Sequence, residues 1–203
     1  ILISNPQDPS SQIDNYRNFN ANSYVDLPVH AGPIQRMVNV GGRLLAHTTD
    51  NIYNIDYQRT TQFIIGDSTP AAPLVFGEPQ EYLGGIEQGT LGTWDPNAGM
   101  MSPFGYTWVD WKAKAIYLMS PAGGIEEISR YGMKKTLRKL LEFCNSNDCR
   151  DEKSVSGSGF VIGLDPTLER ILFTKIDGDK SFTLSYSPMK KKWISFHSYI
   201  PQF

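Results

Sequence analysis

One short motif recurs along this chain and constrains what it can fold into more than any other feature. An apolar residue is followed by aspartate, then by five or six mostly polar residues, then by an apolar run. The copies start at Ile55-Asp56, Val109-Asp110 and Leu164-Asp165, and a weaker copy without aspartate starts at Tyr186-Ser187. The aspartates stand 54 and 55 positions apart, from 56 to 110 and from 110 to 165. A strand–turn–strand unit that recurs about every 50 residues is typical of a β-propeller or another β-repeat array.

The repeated aspartates are interpreted as structural. As equivalent positions of separate blades, Asp56, Asp110 and Asp165 would enter equivalent turns and accept turn N–H bonds. Around them, aromatic and β-branched runs bounded by Gly, Pro and Asp predict short strands. The predicted strands span 43–47, 51–55, 63–65, 104–110, 115–119, 125–129, 160–164, 171–176, 181–186 and 193–198, with 74–76 and 82–83 as further candidates. We therefore predict an all-β fold of propeller-like antiparallel blades, in which the last four strands form one sheet.

One amphipathic helix is predicted as an insertion at about 133–145. Its apolar face is formed at helical spacing by Met133, Leu137, Leu140 and Leu141. Ser129 is a candidate N-cap and Asn145 a candidate end. The basic residues off that face are Lys134, Lys135, Arg138 and Lys139. They fit either a patch that faces phosphate or a solvated helix face, and the solvated face is favoured because basic exposed faces are common.

Two regions are predicted from composition. Residues 1–36 are rich in Asn, Gln, Ser, Asp and Pro and are expected to form an extended polar arm or loop. Residues 37–203 are expected to form the propeller-type segment, with a long Pro- and Gly-rich passage at 66–103. The chain begins with Ile and ends directly after a predicted strand, so we expect it to be an internal segment of a longer protein.

Charge and motifs restrict the function classes. The net charge is −2, so the overall balance does not favour nucleic acid or an anionic membrane as a partner. No apolar run approaches the ~20 residues of a membrane span. Cys144 and Cys149 are spaced for a disulfide across a short polar loop, but two free thiols in a reducing cytosol are favoured.

No residue pattern predicts catalysis, a metal or a cofactor. The three histidines, His30, His47 and His197, have no partner at metal-ligand spacing. The paired carboxylates Glu126-Glu127 and Asp177/Asp179 are the only candidates for acid–base chemistry. Adjacent residues of a strand point to opposite faces, and Asp is common beside hairpin turns, so both pairs are interpreted as structural. We expect no catalytic, cofactor-binding or metal-binding residues, and no enzyme activity.

The motifs together resemble a known family. The runs that carry the resemblance are Gly105 to Asp110, Ala115 to Leu118, Gly124 to Met133 and Lys192 to Pro201. The first three runs resemble the tail nozzle proteins of short-tailed bacteriophages, also called tail tubular protein B or stabilisation protein. The last run resembles the version found in crAss-like phages, called the muzzle protein. The resemblance covers roughly residue 41 to the end and does not extend to the first 36 residues.

That resemblance implies a structural virion protein. It implies a β-propeller whose copies form a ring, expected to be a hexamer, as part of a tube through which DNA passes. It also implies phage tail and portal-connector proteins as partners, a virion location and assembly in the host cytoplasm. The alternative is a propeller that acts on carbohydrate or binds glycans, and a weaker one is a host-type propeller that binds proteins.

Overall fold

Strands dominate the part of the chain that the computed structural model describes, which is residues 1, 2, 4, 14, 17–19, 24–59, 74–82, 90–141, 158–177 and 181–200. The strands are β1 (Ile34–Val40), β2 (Arg43–Thr48), β3 (Ile52–Ile55), β4 (Tyr57–Arg59), β5 (Leu74–Phe76), β6 (Gln80–Glu81), β7 (Gly99–Ser102), β8 (Gly105–Asp110), β9 (Ala115–Met119), β10 (Ile125–Glu127), β11 (Ser158–Asp165), β12 (Arg170–Asp177), β13 (Phe182–Ser187) and β14 (Lys192–His197). The helical elements in this part are α1 (Lys134–Leu140) and two short 3-10 helices, Val29–Ala31 and Ile128–Arg130.

Three antiparallel four-stranded sheets follow one another along the chain. Sheet I has the order β1-β2-β3-β6, sheet II β7-β8-β9-β10 and sheet III β11-β12-β13-β14. Strands β4 and β5 pair separately as a ribbon. The predicted all-β character with one α-helix is therefore confirmed for the described residues, and the last four predicted strands do form one sheet.

Sheet II is the middle layer of the stack. Its side chains alternate between two faces along each strand, as the period of a strand requires. Tyr106 and Trp108 on β8 join the apolar core shared with sheet I. Val109 on β8 and Ile116 on β9 join the core shared with sheet III. Every residue of β8 is buried because both faces of its sheet are covered.

Sheet I is covered on its other face by the chain that precedes it. Val25 and Ala31 pack there against Tyr53 and Ile55. Strand β1 was not predicted, and its first residues lie within the segment 1–36 that was expected to be an arm. Only Val38 and Val40 of β1 are buried, so its sequence carries a weak strand pattern. Its pairing with β2 is closed by the two-residue turn Gly41-Gly42, where both glycines have positive φ as such a turn requires.

Three copies of the recurrent motif, those at Asp110, Asp165 and Ser187, correspond to one kind of hairpin turn. In the β8–β9 turn, Asp110 Oδ1 accepts the Ala113 N–H at 2.8 Å. In the β11–β12 turn, Asp165 Oδ1 accepts the N–H groups of Thr167 and Leu168 at 3.0 and 3.1 Å. The β13–β14 turn begins with Ser187 in the same role, at 3.3 Å from the amide nitrogen of the residue three positions on. These turns end on residues with positive φ, namely Lys114, Glu169 and Lys191.

The prediction that the three aspartates hold equivalent positions in separate blades was wrong, although the turn-entry role of Asp110 and Asp165 is confirmed. Asp110 ends the second strand of sheet II, Asp165 ends the first strand of sheet III, and Asp56 follows the third strand of sheet I. The three aspartates are therefore not equivalent. The physical reason is that this turn can join any two antiparallel neighbours, so its sequence does not define a place in the sheet.

Helix α1 packs by the face that its period predicted. Leu137 and Leu141 are buried in the core between sheets II and III, and Met133 and Leu140 pack against it. The proposed cap was wrong: α1 begins after Met133 without a side-chain cap. Ser129 instead lies in the preceding 3-10 helix, where its hydroxyl donates a hydrogen bond to the Glu127 carboxylate.

Some predictions fall outside the described residues. They are the strand at 63–65, the helix end at Asn145, the two cysteines Cys144 and Cys149, and Asp179; the side chain of Asp177 is likewise not described. Within the described residues, no helix has the length and apolar character needed to cross a bilayer.

Candidate functional site

The paired carboxylates Glu126 and Glu127 have separate contacts. Glu127 accepts the Ser129 hydroxyl at 2.9 Å and the Arg130 Nε–H at 2.6 Å, and its side chain is almost fully buried. Glu126 accepts the Tyr131 hydroxyl and lies 3.1 Å from Lys191 Nζ. The hydrogen bond from Tyr131 is the main cause that lowers the pKa of Glu126, and the bond from Lys191 lowers it further. The two carboxylates therefore do not converge on one site.

Glu126 takes part in a joint between sheets II and III. Lys191 lies in the β13–β14 turn of sheet III, so its bond to Glu126 crosses the interface. The Trp193 indole N–H donates to the Ile128 carbonyl at 3.0 Å and crosses the same interface. The rings of Tyr131 and Tyr186 stack beside it at 6.4 Å. These contacts fix the register in which the two sheets meet.

A buried histidine forms the joint between sheets I and II. His47 on β2 is fully buried, with Nδ1 2.8 Å from the Tyr106 hydroxyl and Nε2 2.8 Å from the Leu91 carbonyl oxygen. A carbonyl can only accept, so Nε2 carries the proton and Nδ1 accepts from Tyr106. The imidazole also meets the Trp108 ring edge-on at 5.4 Å. Burial lowers the pKa of His47 to about 3, so the ring is neutral at physiological pH.

Asp110 is a carboxylate with an altered pKa in the middle of the stack. It is 1% exposed, and burial raises its pKa to about 6. The N–H groups of Ala113 and Lys112 oppose this change, because they stabilise the charged form, whereas Oδ2 is buried without a hydrogen-bond partner among the described residues. The side chain serves the β8–β9 turn, and the change in its pKa is a consequence of that buried position.

The histidines lie apart from one another. His197 Nε2 contacts the hydroxyls of Ser195 and Ser185 at 2.9 and 3.2 Å, on the face of sheet III away from sheet II. His30 approaches the Tyr53 hydroxyl at 3.4 Å beside sheet I. Among the described residues, no group of three or more His, Cys, Asp or Glu side chains is placed to hold a metal ion.

A connecting segment, residues 90–98, ties the three sheets together. Its Leu91 N–H donates to the Asp50 carbonyl at 3.3 Å in the β2–β3 turn of sheet I. Farther along, Asp95 Oδ2 accepts the Phe160 N–H of sheet III at 3.1 Å. Asp95 is nearly buried, and burial raises its pKa against the opposing effect of these backbone donors. The segment thus holds the outer sheets in fixed positions relative to sheet II.

A cavity of about 460 Å³ opens beside this segment, where the turns of sheets I and II meet. Its lining residues are Gly32, Pro33, Gln35, Thr49, Asp50, Trp94 and Lys112. Lys112 Nζ bonds Asp50 Oδ1 at 2.8 Å across the boundary between the two sheets. Sequence reasoning did not find this cavity, because its residues come from four separate segments and carry no common local pattern.

The basic residues of α1 form a partly solvated face. Lys135, Arg138 and Lys139 are exposed and Lys134 is half-buried. Their exposure agrees with the solvated-face interpretation of the sequence. Leu137 and Leu141 turn one face of the helix to the core between sheets II and III, so the exposed basic residues are directed away from that core.

The described residues thus define an all-β protein of stacked antiparallel sheets, whose buried polar and aromatic side chains largely serve the joints between the sheets. A family model for the Crassvirus muzzle protein matches residues 1–203. The chain belongs to this family, which makes it a structural, tail-associated protein of a crAss-like phage that assembles with other virion proteins. A search of curated proteins found no match.

Proposed function

We propose that this chain forms part of the wall of a phage tail nozzle through which DNA passes, and that it catalyses no reaction. The observation that carries the proposal, beside the family, is the face-to-face stack of sheets I, II and III. Each sheet has four antiparallel strands, and the sheets follow one another in sequence. We interpret them as successive blades of a β-propeller, an architecture that leaves short and protected sheet edges.

The joints between the sheets support a load-carrying role. Each interface combines an apolar core with a polar contact that depends on register, His47 with Tyr106 on one side and Trp193 with Ile128 on the other. Such directional contacts resist sliding of one sheet over the next, which apolar packing alone does not. A wall that contains a moving polymer needs this resistance.

The proposed partners are further copies of the chain in a ring, expected to be a hexamer, and other tail and portal-connector proteins. Assembly takes place in the host bacterial cytoplasm. DNA is a transient partner without sequence preference. A wall protein should not grip DNA, because basic contacts bind phosphate tightly and slow its passage. The net charge of −2 is consistent with this requirement.

The basic face of α1 is the local exception to that charge balance. We propose that it faces outward or toward a neighbouring subunit rather than the channel. In the intact phage, Lys134→Glu combined with Lys135→Glu is expected to lower particle yield and leave genome ejection by the assembled particles unchanged. The matched control is Lys190→Glu with Lys192→Glu, two exposed lysines, one in the β13–β14 turn and one at the start of β14. Normal particles that fail to eject would place the helix on the channel and contradict the proposal.

The absence of catalysis and the ring are tested on the purified full-length protein. Electron microscopy is expected to show rings with a central opening. Incubation with polysaccharides is expected to release no reducing sugar. Turnover of a glycan would favour the carbohydrate-active alternative and overturn the structural assignment.

A further inference from the structure

The cavity of about 460 Å³ between the turns of sheets I and II is lined by Gln35, whose direction is set by a β-bulge. In the pairing of β1 with β2, Ile34 faces Thr48 and Arg36 faces His47, so Gln35 is the extra residue of a β-bulge. Bulges re-aim a side chain and are frequent beside binding sites. Gln35 is half-buried, lines the cavity, and has no hydrogen-bond partner among the described residues.

The charges of the cavity balance. Asp50 and Lys112 are paired at 2.8 Å, with side chains 34% and 52% exposed. The pairing uses Asp50 Oδ1, which leaves Oδ2 without a hydrogen bond from the described residues. Oδ2 lies on the side of Gly32, within 3.5 Å of where a Cβ would stand. A carboxylate oxygen that accepts, an ammonium that donates and an amide that does both thus line one neutral cavity.

Backbone hydrogen bonds and close packing support the wall of the cavity. The Thr49 N–H donates to the Pro33 carbonyl at 3.1 Å, and the Thr93 N–H donates to the Thr48 carbonyl at 3.1 Å. Gly92 approaches the Thr49 backbone so closely that a Cβ there would lie 2.0 Å from its carbonyl oxygen. Trp94 lines the cavity and is also packed against the core between sheets II and III, so its indole is held in place.

We propose that this cavity is a binding site for a neutral, hydroxyl-rich ligand, of which a single sugar residue of a glycan is the class that fits. Sugars are bound by carboxylates and amides that bridge hydroxyl groups and by aromatic rings that cover their C–H faces, and these are the groups collected here. The volume falls within the range of about 300–1,000 Å³ that is usual for small-molecule sites. A phosphate is disfavoured because Asp50 lies beside the single lysine, and an ammonium ligand would have to compete with Lys112.

The site goes beyond the wall function proposed above and does not depend on it. A glycan contact on the nozzle would add adhesion to a protein otherwise devoted to assembly. The sugar is held in a cavity at the end of two sheets, so occupation requires no rearrangement of the joints between them.

The test is binding of sugars to the full-length protein, measured by saturation-transfer NMR and by tryptophan fluorescence. The probes are the methyl glycosides of glucose, galactose and N-acetylglucosamine, with inorganic phosphate as the charged comparison. At least one glycoside is expected to bind, and phosphate is expected neither to bind nor to compete. No glycoside binding tighter than about 10 mM, or phosphate binding in place of sugar, would overturn the proposal.

Variants locate the site. Gln35→Leu and Asp50→Asn are each expected to weaken binding about tenfold, since each removes a polar contact to the ligand. The matched control is Gln80→Leu, an exposed amide on β6, which is expected to bind as the parent does. Lys112→Met provides a third variant of the cavity if Gln35→Leu unfolds. Parent-like affinity in the folded cavity variants would refute the assignment.

Discussion

Replacing the buried carboxylate of Asp110 by an amide should change how stability depends on pH. Burial raises the pKa of Asp110 from 3.8 to about 6 in the folded protein. Between these values the folded protein holds a proton that the unfolded chain has released. The free energy of unfolding therefore falls as the pH rises through this window, and the full penalty is present above pH 6.

The size of the effect follows from the two pKa values. They differ by about two pH units, and each unit corresponds to about 1.4 kcal/mol, so the penalty is about 3 kcal/mol. In Asp110→Asn the side-chain oxygen can still accept the Ala113 N–H, but no charge forms in the core. The variant should lack this part of the pH dependence.

His47 makes stability depend on pH in the opposite direction, so the pH dependence of the parent alone does not isolate the contribution of Asp110. Burial lowers the pKa of His47 to about 3, below its ordinary 6.5. The unfolded chain then binds the extra proton, and stability from this group is lost as the pH falls from about 6.5 toward 3. Because His47 is common to parent and variant, subtracting their unfolding free energies removes its contribution.

The assay is urea unfolding of parent and Asp110→Asn at several pH values between about 4 and 7. The difference, variant minus parent, should rise by about 3 kcal/mol across this range. Asp165→Asn is the matched control, because Asp165 accepts turn N–H bonds in the same way at a site that solvent reaches. A difference for Asp110→Asn that stays flat, or that matches the Asp165→Asn curve, would refute the reasoning.

Three further predictions concern stability, and each is checked by denaturant unfolding. Trp108→Ala should lower the free energy of unfolding by about 3–5 kcal/mol, because Trp108 is fully buried between sheets I and II. Trp193→Ala should lower it by less, because Trp193 is half-buried, and equal losses would contradict the layer assignment. His47→Leu should cost about 3 kcal/mol, since it leaves the Tyr106 hydroxyl and a carbonyl buried without partners, and a neutral result would show that water replaces them. Asp165→Ala should cost about 1 kcal/mol through lost turn hydrogen bonds, and an unchanged midpoint would show that the turn forms without them.

Local pattern was sufficient to predict most strands and the helix. Strands β8 and β12 are dense in aromatic and β-branched residues, and Leu137 and Leu141 are spaced at helical period, so their burial could be anticipated. Strand β1 was missed because only two of its residues are buried, and its place is decided by pairing with β2. Tertiary pairing of this kind overrides local propensity.

Neither the place of the motif within the sheets nor the residues of the cavity could be predicted, because both depend on long-range contacts. The Asp-led turn is encoded locally, but which strands it joins depends on long-range pairing, so the equivalent positions predicted for the three aspartates were wrong. The cavity brings Gln35, Trp94 and Lys112 together from different sheets and a connecting segment. The burial of His47 likewise depends on its neighbours across the interface, and the spacing of the three histidines in the sequence does not predict it.

The most direct test of the nozzle-wall assignment is a cryo-electron microscopy reconstruction of the tail in the intact phage particle. The account predicts a closed ring of copies around the DNA path, with sheets I, II and III stacked in its wall and the basic face of α1 directed away from the channel. A reconstruction in which the chain lies outside any ring, or with α1 lining the DNA path, would contradict it.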